Sequence, residues 1–564
     1  MSTDRYIFRF LLVSLNVDTI LQGTTIRSRR KKFDEMTDDW GLSGAYGATL
    51  GRIKGQDREK SRLGMAALMW ISHSGRPLKV DELCHALGVE IGSADLHDDN
   101  VPSISTLLAC CKGLVVVDKE ASTVRLIHFT LQEYLQDHPE HFDRPHATMA
   151  EACLSYLNSH QVKALSPDSW PYSLRLQGVP FLEYSSVYWG VHAKRDLSDS
   201  AKQLALRLFD DYSNHISTKI LLDGSSWNYF GSNSHRPSLF SGLHCASFFG
   251  IDEIVTCLVE VVGCNINPID CTGSTPLTWA ASKGREGAVK ILLGRDGINP
   301  DKPDMNGRTP LWCAVENGHE KVVEMLLGRG DVNPDKLGIY GQTPLQCVVR
   351  NDRVGLVEIL VRRHDVNPNQ LIECGRTPLC WALENGHEGI VEILLGRDDV
   401  DLNKPSESGE TPLLWAAENG HEGVVKILLG RNDVSPDSPN NNGETPLWCA
   451  SGNGHGKVVE MLLERGDVNP NKPNIYGETP LLCAARSGRE GVVKILLGRD
   501  DVDPNQPGGC GQTPLFCAAA NGLEGIVKLL LGRDDVSPDK PDMYGQTPLW
   551  CATKRGHTRV VALL

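Results

Sequence analysis

The sequence repeats itself every 34 residues through its last three-fifths. The triplet Thr-Pro-Leu recurs nine times with constant spacing, at Thr275, Thr309, Thr343, Thr377, Thr411, Thr445, Thr479, Thr513 and Thr547. A degraded tenth copy begins one period upstream, at Ser241. Units of this length cannot bury an apolar face alone, so they stack on their neighbours. The period predicts a solenoid, and we expect its function on a surface rather than in a catalytic cleft.

Within one repeat, the pattern predicts two helices and a loop. In the copy that begins at Thr445, Pro446 suits the first helical position, because no amide donor is needed there. Gly454 is placed to end this helix with a positive φ, and residues 458–463 supply the apolar face of a second helix. A loop with two prolines follows, and Gly477 allows the tight turn into the next repeat.

The length and the net charge of the chain limit which folds and partners it can have. The 564 residues are too many for a single core. The formal net charge of −14 argues against a nucleic-acid partner, because phosphate binding needs a basic face. The basic run Arg27–Lys32 is either an import or lipid-binding patch or a short solvated stretch.

We see no membrane span and no signal peptide, since the apolar stretch Tyr6–Leu15 is short and contains Arg9. We therefore expect a cytoplasmic protein, with a nuclear location also open.

The 17 cysteines are predicted to be reduced thiols. Seven of them share the fifth position of the repeat, counting Thr as the first: Cys245, Cys313, Cys347, Cys449, Cys483, Cys517 and Cys551. Trp279, Trp381 and Trp415 take this position elsewhere, which is typical of an apolar packing site. No CxxC pair is present, so we predict no metal and no other cofactor.

The TPLxxA start, the NGHxxVVxxLL helix pair and the DVNP loop resemble the ankyrin repeat over residues 240–564. The resemblance implies a mainly α fold with about ten repeats of 34 residues, one more residue than is usual. It also implies inter-repeat bonds from a His at the fourth position. Here Trp312, Trp448, Phe516 or Trp550 stands in that position, which predicts a more aromatic interior and puts those bonds in doubt. The family assigns a structural role, rather than metal binding, to the NGH histidines His319, His387, His421 and His455.

The resemblance also implies where a partner binds. In an ankyrin fold, the two residues before the turn glycine lie at a loop tip that faces a concave groove, and the eighth position faces the same groove. Both positions vary freely between the repeats, and tyrosine and arginine are favoured at binding hot spots. The predicted partner-binding residues are Met305, Ile339, Tyr340, Ile475, Tyr476, Met543 and Tyr544 at the tips, and Glu316, Arg350, Glu384, Glu418 and Arg486 at the eighth position. The alternative is neutral variation at exposed tips.

Repeat four departs from the pattern. Asp352 replaces the glycine that ends the first helix, and Val348 replaces the alanine of the other copies. A left-handed residue other than glycine and an overpacked contact each cost about 1 kcal/mol or more. The sequence therefore predicts that the stack is weakest between repeats three and five.

Before the repeats, the pattern predicts a winged helix. Trp70–Leu87 holds a helix end, a turn and a second helix, and Ile104–Lys112 forms a third helix. Leu114–Val117 and Thr123–Ile127 form a hairpin. The third helix offers only one cation, Lys112, so DNA binding is not favoured.

The runs RPLKVDELCHAL, CCKGLVVVD and RLIHFTLQEYL resemble the winged helix that follows the NACHT ATPase in fungal NLR-like (STAND) proteins, a segment also likened to one in GPI inositol-deacylases. Residues 8–15 and 33–53 look like the end of a NACHT module, and residues 152–158 and 181–194 like a helical connector. The predicted domains are 1–55 (helical), 56–142 (winged helix), 143–235 (connector) and 236–564 (repeats, the last incomplete). The family's nucleotide sensor maps onto His128, whose alternative role is that of a core histidine.

No GxxxxGK[ST] motif occurs, so nothing in the chain would cradle a nucleotide. We expect a non-enzymatic scaffold that binds a protein ligand in its groove, as the sensor part of an NLR-like signalling protein, with self-association also open. The alternative is a truncated or split ATPase whose nucleotide-binding module is absent from this chain. The last repeat stops at Leu564 inside its second helix, which predicts either an exposed apolar end or a fragment.

Overall fold

The computed structural model describes residues 25, 27–28, 41–166, 178–224, 239–338, 341–371 and 376–564. The fold is mainly helical and contains the predicted solenoid of helix pairs. The chain divides into two compact units, Met1–Asn299 and Pro300–Leu564. None of the described helices is long and apolar enough to cross a membrane.

The first unit starts with the predicted three helices and hairpin, preceded by one further helix. The helices are α1 (Gly41–Lys54), α2 (Arg58–His73), α3 (Val80–Gly88) and α4 (Ile104–Cys110), and the strands are β1 (Leu78–Lys79), β2 (Val115–Asp118) and β3 (Thr123–Leu126). The antiparallel sheet has the order β1-β3-β2, with Val115 opposite Leu126 and Leu78 opposite Val124. The sequence does not predict β1, because two residues carry no alternating pattern.

Further helices complete the part of the first unit that precedes the repeats. They are α5 (Phe129–Asp137), α6 (Pro145–Asn158), α7 (His160–Lys163), α8 (Leu182–Arg195), α9 (Asp199–Phe209) and α10 (Ile216–Gly224). Helix α6 packs against α8 and α9. The core is aromatic: the ring centroids of Trp70 and Phe181 lie 5.4 Å apart, and those of Trp189 and Phe249 lie 5.2 Å apart. Gly190 is required in α8, because a Cβ atom there would lie 2.2 Å from the ring of Phe249.

Each repeat contributes two antiparallel helices. In the first unit these are α11 (Gly242–Phe249), α12 (Asp252–Val259), α13 (Pro276–Ser282) and α14 (Glu286–Leu293). In the second unit the described residues form α15 (Pro310–Asn317), α16 (Glu320–Leu327), α17 (Pro344–Arg350), α18 (Val354–Val361), α19 (Pro378–Glu384), α20 (Glu388–Leu395), α21 (Pro412–Asn419), α22 (Glu422–Leu429), α23 (Pro446–Asn453), α24 (Gly456–Leu463), α25 (Pro480–Arg486), α26 (Glu490–Leu497), α27 (Pro514–Ala520), α28 (Glu524–Leu531), α29 (Pro548–Arg555) and α30 (Thr558–Val561). Within this unit, the first helices of successive repeats pack side by side.

The repeated residues act at the helix ends. Thr445 caps α23, because its hydroxyl oxygen accepts a hydrogen bond of 3.2 Å from the amide of Trp448. Pro446 occupies the first helical position, and Gly454 ends the helix at a φ of +89°. At the equivalent point of repeat four, Asp352 has a φ of +53°, as predicted. The threonine cap is a further physical reason why the triplet recurs in each repeat.

The long loops are joined by a ladder of polar side chains. The side-chain oxygen of Asn471 accepts a 2.8 Å hydrogen bond from the amide of Asp503, and its amide group donates to the carbonyl of Asp501 at 2.6 Å. Arg499 pairs with Asp501 at 2.7 Å and donates to the carbonyl of Leu463, one repeat back, at 2.9 Å. These bonds hold the loops of adjacent repeats in register.

The doubt over inter-repeat bonding holds in one repeat and is corrected in another. Nε1 of Trp312 is buried without a hydrogen-bond partner in the described part of the chain. In repeat seven an indole replaces the histidine: Nε1 of Trp448 donates to the carbonyl of Glu478 at 3.0 Å. This bond matches the one in repeat one, where Nε2 of His244 lies 3.1 Å from the carbonyl of Ser274. The aromatic interior is also only partial. Trp312 and Phe516 are buried, whereas Trp448 is half-buried and Trp550 is 43 % exposed.

The fifth position is less uniform than its apolar composition predicts. Its seven cysteines and Trp279 are buried, but Trp381 and Trp415 are half-buried. The position therefore accepts a fully buried indole in repeat two and a partly exposed one in repeats five and six. Among the described residues, every cysteine is a free thiol.

Candidate protein-binding surface

Loop tips and first helices in repeats seven to nine line one pocket of about 960 Å³. Its wall combines Trp448 and Leu482 from the helices, Ile475 and Tyr476 from a tip, and the ion pair of Glu478 and Arg486. We define the groove surface as three sets of residues: the tip residues, the eighth residue of each repeat counted from its threonine, and the residue before that threonine. The pocket shows that these three positions share one surface in the second unit.

The predicted tip anchors that the structure describes are exposed apolar or aromatic side chains. Met305, Ile475, Tyr476, Met543 and Tyr544 are between 62 % and 72 % exposed. Ile339 and Tyr340, also predicted here, lie outside the described residues. Exposed groups of this size are unusual in a monomer unless a partner covers them.

The tips have a defined backbone. The side-chain oxygen of Asn474 accepts hydrogen bonds of 2.9 Å from the amides of Tyr476 and Glu478. The amide of Ile475 donates to the carbonyl of Asn442 in the preceding tip at 2.9 Å. Because the tip is held in place before binding, little conformational entropy has to be lost when a partner docks.

The eighth position is mostly neutralised within its own repeat. Glu316 lies 3.8 Å from Arg308, Glu384 lies 3.1 Å from Arg376, and Arg486 pairs with Glu478. Arg350 instead places its guanidinium 5.9 Å from the ring centroid of Trp381. Of these four side chains, Arg486 lines the pocket.

Glu418 differs from the other predicted glutamates. It is half-buried, and the described part of the chain holds no cation within ion-pair distance of it. Burial raises the pKa of Glu418, and the carboxylates of Glu410, Glu444 and Glu384 raise it further. The groove surface is therefore locally acidic in repeats six and seven.

Sequence reasoning misses part of this site. Trp448 is expected in the interior, and Glu444 and Glu478 are not singled out. The signal for the glutamates is present, because the residue before the threonine varies in the same way as the tips: Ser274, Arg308, Gln342, Arg376, Glu410, Glu444, Glu478, Gln512 and Gln546. Trp448 gives no such signal, since a tryptophan reads as a core residue until its exposure is known.

The histidines that could suggest chemistry have local roles. His128 is half-buried and lies at the start of α5, where Nδ1 is 2.9 Å from the hydroxyl of Thr130. It is thus a helix cap rather than a core histidine. His455 places Nε2 3.0 Å from the carbonyl of Glu418, one repeat back. Among the described residues, no group of three or more His, Cys, Asp or Glu side chains could hold a metal ion.

Two buried thiols in the first helices of repeats eight and nine are poor nucleophiles. Burial raises the pKa of Cys483 and of Cys517 to about 11. A cysteine attacks as the thiolate, and these thiols stay protonated at neutral pH. These two cysteines are therefore packing residues rather than nucleophiles.

The family model for ankyrin repeats (three copies) matches in overlapping segments that extend from residue 243 to residue 564: 243–336, 299–370, 331–406, 396–474, 413–508 and 500–564. These segments cover more than half of the sequence. The chain belongs to the ankyrin-repeat family. In this ankyrin-repeat protein, residues 53–144 match the winged helix domain of GPI inositol-deacylase, which confirms the predicted winged helix.

Among solved structures, the protein is similar to the crystal structure of the ankyrin repeat domain of Bcl-3, a member of the IkappaB protein family. The identity is 26 %, the match covers 40 % of this chain and 100 % of that one, and the TM-score is 0.37. The comparison with curated proteins gives no match.

Proposed function

We propose that this ankyrin-repeat protein is a non-enzymatic scaffold that binds a protein ligand on its groove surface. The observation that carries the proposal is the exposure of Ile475 and Tyr476 at the rim of a pocket walled by Trp448. Rigid apolar and aromatic groups of this kind supply most of the binding energy in protein interfaces. Membership of the ankyrin-repeat family supports a protein partner.

Photo-crosslinking in the native cell tests this proposal. A photoreactive amino acid at position 476 or 544 should give the same cross-linked partner, which mass spectrometry identifies. The control position is Glu460, which is exposed on the second helix of repeat seven. Equal cross-linking of that partner from position 460 would contradict binding on the groove surface.

The identified partner then allows a quantitative test with purified proteins. Tyr476→Ala and Ile475→Ala should each weaken binding by about tenfold or more, because each removes an exposed anchor. Glu460→Ala, at an exposed position on the second helix of repeat seven and outside the groove surface, is the control and should leave the affinity within about twofold. An unchanged affinity in both anchor variants would overturn the assignment.

Within this role, we infer that the chain is the sensor or regulatory part of an NLR-like signalling protein. The match of a winged helix on the N-terminal side of the repeats supports this inference. The alternative is a signal-transduction ATPase whose nucleotide-binding module lies outside this sequence. The intact mass of the protein from its native source separates the two: a mass near 61.9 kDa favours the scaffold, and a much larger mass favours the ATPase.

A further inference from the structure

Charged pairs recur on the groove surface, and repeats six and seven lack them. In three repeats, the residue before the threonine pairs with the eighth residue: Arg308 with Glu316, Arg376 with Glu384, and Glu478 with Arg486. In repeat six both positions are acidic, Glu410 and Glu418, and in repeat seven Glu444 faces the groove while the eighth residue is Gly452. Three carboxylates therefore follow one another where repeats three, five and eight each pair an acid with a base.

These carboxylates have only neutral donors in the described part of the chain. Glu410 accepts a hydrogen bond from the hydroxyl of Ser406, and Glu444 accepts one of 2.8 Å from the side-chain amide of Asn440. Glu418 has neither an ion pair nor a side-chain hydrogen bond among the described residues. Its half-buried carboxylate is the least compensated of the three, and its raised pKa reflects burial and the neighbouring carboxylates.

The preceding repeat shows how such a position is neutralised. The guanidinium carbon of Arg376 lies 5.4 Å from the ring centroid of Trp381 and 5.2 Å from that of Trp415, while its Nη1 pairs with Glu384 at 3.1 Å. This arginine combines stacking on an indole with a carboxylate partner. Glu410 takes the place of Arg376 in repeat six, so the cation is missing there.

The apolar pocket adjoins the acidic stretch. Glu444 and Trp448 both line it, together with Ile475 and Tyr476. Charge and apolar surface therefore lie side by side on one surface. The three carboxylates do not converge as metal ligands do, since none of the described residues form such a group. An elongated partner with its charge on side chains fits this arrangement better than a single ion.

We propose that the groove surface of repeats six to eight binds an extended protein segment that places arginine or lysine side chains against Glu410, Glu418 and Glu444. The next residues of that segment fill the pocket of Trp448, Ile475 and Tyr476 with an apolar or aromatic side chain. The partner supplies the cation that Arg376 supplies one repeat earlier. This inference rests on the proposed groove-binding function and defines the chemistry of the ligand.

The test starts from a library of random twelve-residue peptides displayed on phage and selected against the purified full chain. The enriched peptides are expected to carry arginine or lysine next to an aromatic or large aliphatic residue. A synthetic copy of one such peptide, labelled for fluorescence anisotropy, then serves as the probe. Its affinity should fall about tenfold for Glu418→Gln and for Glu444→Gln, because each removes a charge-assisted contact.

The matched control is the double variant Glu460→Gln/Glu464→Gln. It removes the same charges as Glu418→Gln/Glu444→Gln, but from exposed positions on the second helix of repeat seven and its end. If net charge alone attracts basic peptides, both double variants will weaken binding equally, and the proposal is wrong. Circular dichroism of each variant checks that the fold is retained.

The anchor variants separate this inference from the proposed function. One outcome contradicts the basic segment but supports groove binding: the peptides lose affinity for Tyr476→Ala, yet they lack basic residues. The same conclusion follows if their affinity is unchanged by Glu418→Gln and Glu444→Gln. Peptides that bind Tyr476→Ala and Ile475→Ala as tightly as the unchanged chain overturn both.

Discussion

The repeats and the helices that precede them differ in how far apart along the sequence their interacting polar groups lie. In the repeats, the polar contacts between neighbouring units span about one repeat length, such as 30 residues from Trp448 to Glu478 and 37 from His455 to Glu418. Before the repeats, a buried cluster joins groups at unrelated separations, including 109 residues from Gly75 to Tyr184. A repeat can lose one contact and keep its neighbours' copies, whereas the cluster exists once.

That cluster consists of histidines kept neutral by burial. Nε2 of His192 lies 2.9 Å from the hydroxyl of Tyr184, and its Nδ1 lies 3.0 Å from Nδ1 of His146. Burial lowers the pKa of His192 to about 3 and that of His146 to about 4, with a smaller lowering from Arg195 in each case. Protonation of either ring would place a charge in a space that the fold has dehydrated.

The largest expected difference between the two regions concerns acid. A histidine with a pKa near 6.5 when unfolded and about 3 when folded contributes stability that is fully present above pH 6.5 and is lost as the pH falls. At pH 4.5 the loss from His192 alone amounts to about 3 kcal/mol. Hydrogen exchange, corrected for intrinsic rates, should show α6 and α8 losing protection between pH 7 and pH 4.5 while α23 and α25 keep theirs. Equal loss in both regions would contradict this explanation.

A glycine-to-alanine substitution in each region gives a second comparison. Gly190→Ala should destabilise the first unit by about 3 kcal/mol, because the new Cβ overlaps the ring of Phe249. Gly389→Ala in α20 has open space around it and should stabilise that helix by about 0.5 kcal/mol. Local hydrogen exchange of α8 and α20 reads out the two changes. Similar effects at both sites would mean that the close packing near Gly190 relaxes easily.

The indole hydrogen bond of Trp448 allows a test with a smaller expected effect. Trp448→Phe removes the hydrogen bond to the carbonyl of Glu478 and should weaken the contact between repeats seven and eight by about 1 kcal/mol. Trp312→Phe is the control, because Nε1 of Trp312 is buried without a hydrogen-bond partner in the described part of the chain. The control should be neutral or slightly stabilising. Loss of protection confined to α23 and α25 would identify the indole as the substitute for the family's histidine.

The strained residue of repeat four gives an expected gain in stability, reduced by the loss of a contact. Asp352→Gly relieves a left-handed φ of +53° and should stabilise repeat four by about 1 kcal/mol, offset in part by the lost contact of 3.2 Å with His387. Gly420→Asp, at the same position of repeat six, should destabilise by a similar amount. Hydrogen exchange of α17 and α21 measures both. If Asp352→Gly gives no gain, the strained residue does not make the centre of the stack weak.

Sequence reasoning succeeds in the repeats because each residue there is seen ten times in one chain. The helix starts at threonine and proline, the glycine ends and the strained Asp352 follow from that internal comparison. The location of the variable pair at exposed tips follows from the resemblance to the ankyrin repeat. Sequence reasoning is less complete for the groove surface. The pairs of Arg376 with Glu384 and of Glu478 with Arg486 depend on which side chains meet across eight residues, and the partial exposure of Trp448 depends on the neighbouring tip.

The sequence by itself determines the repeat architecture, the winged helix and the choice of a surface rather than a cleft, because these follow from local spacing and helix-end chemistry. Only the tertiary structure decides which variable positions converge into the pocket beside Trp448, and which carboxylates are left without a cation. It alone also assembles the histidine cluster around His192. The physical reason is that pairing, burial and desolvation depend on distances between side chains, and a linear pattern does not contain those distances.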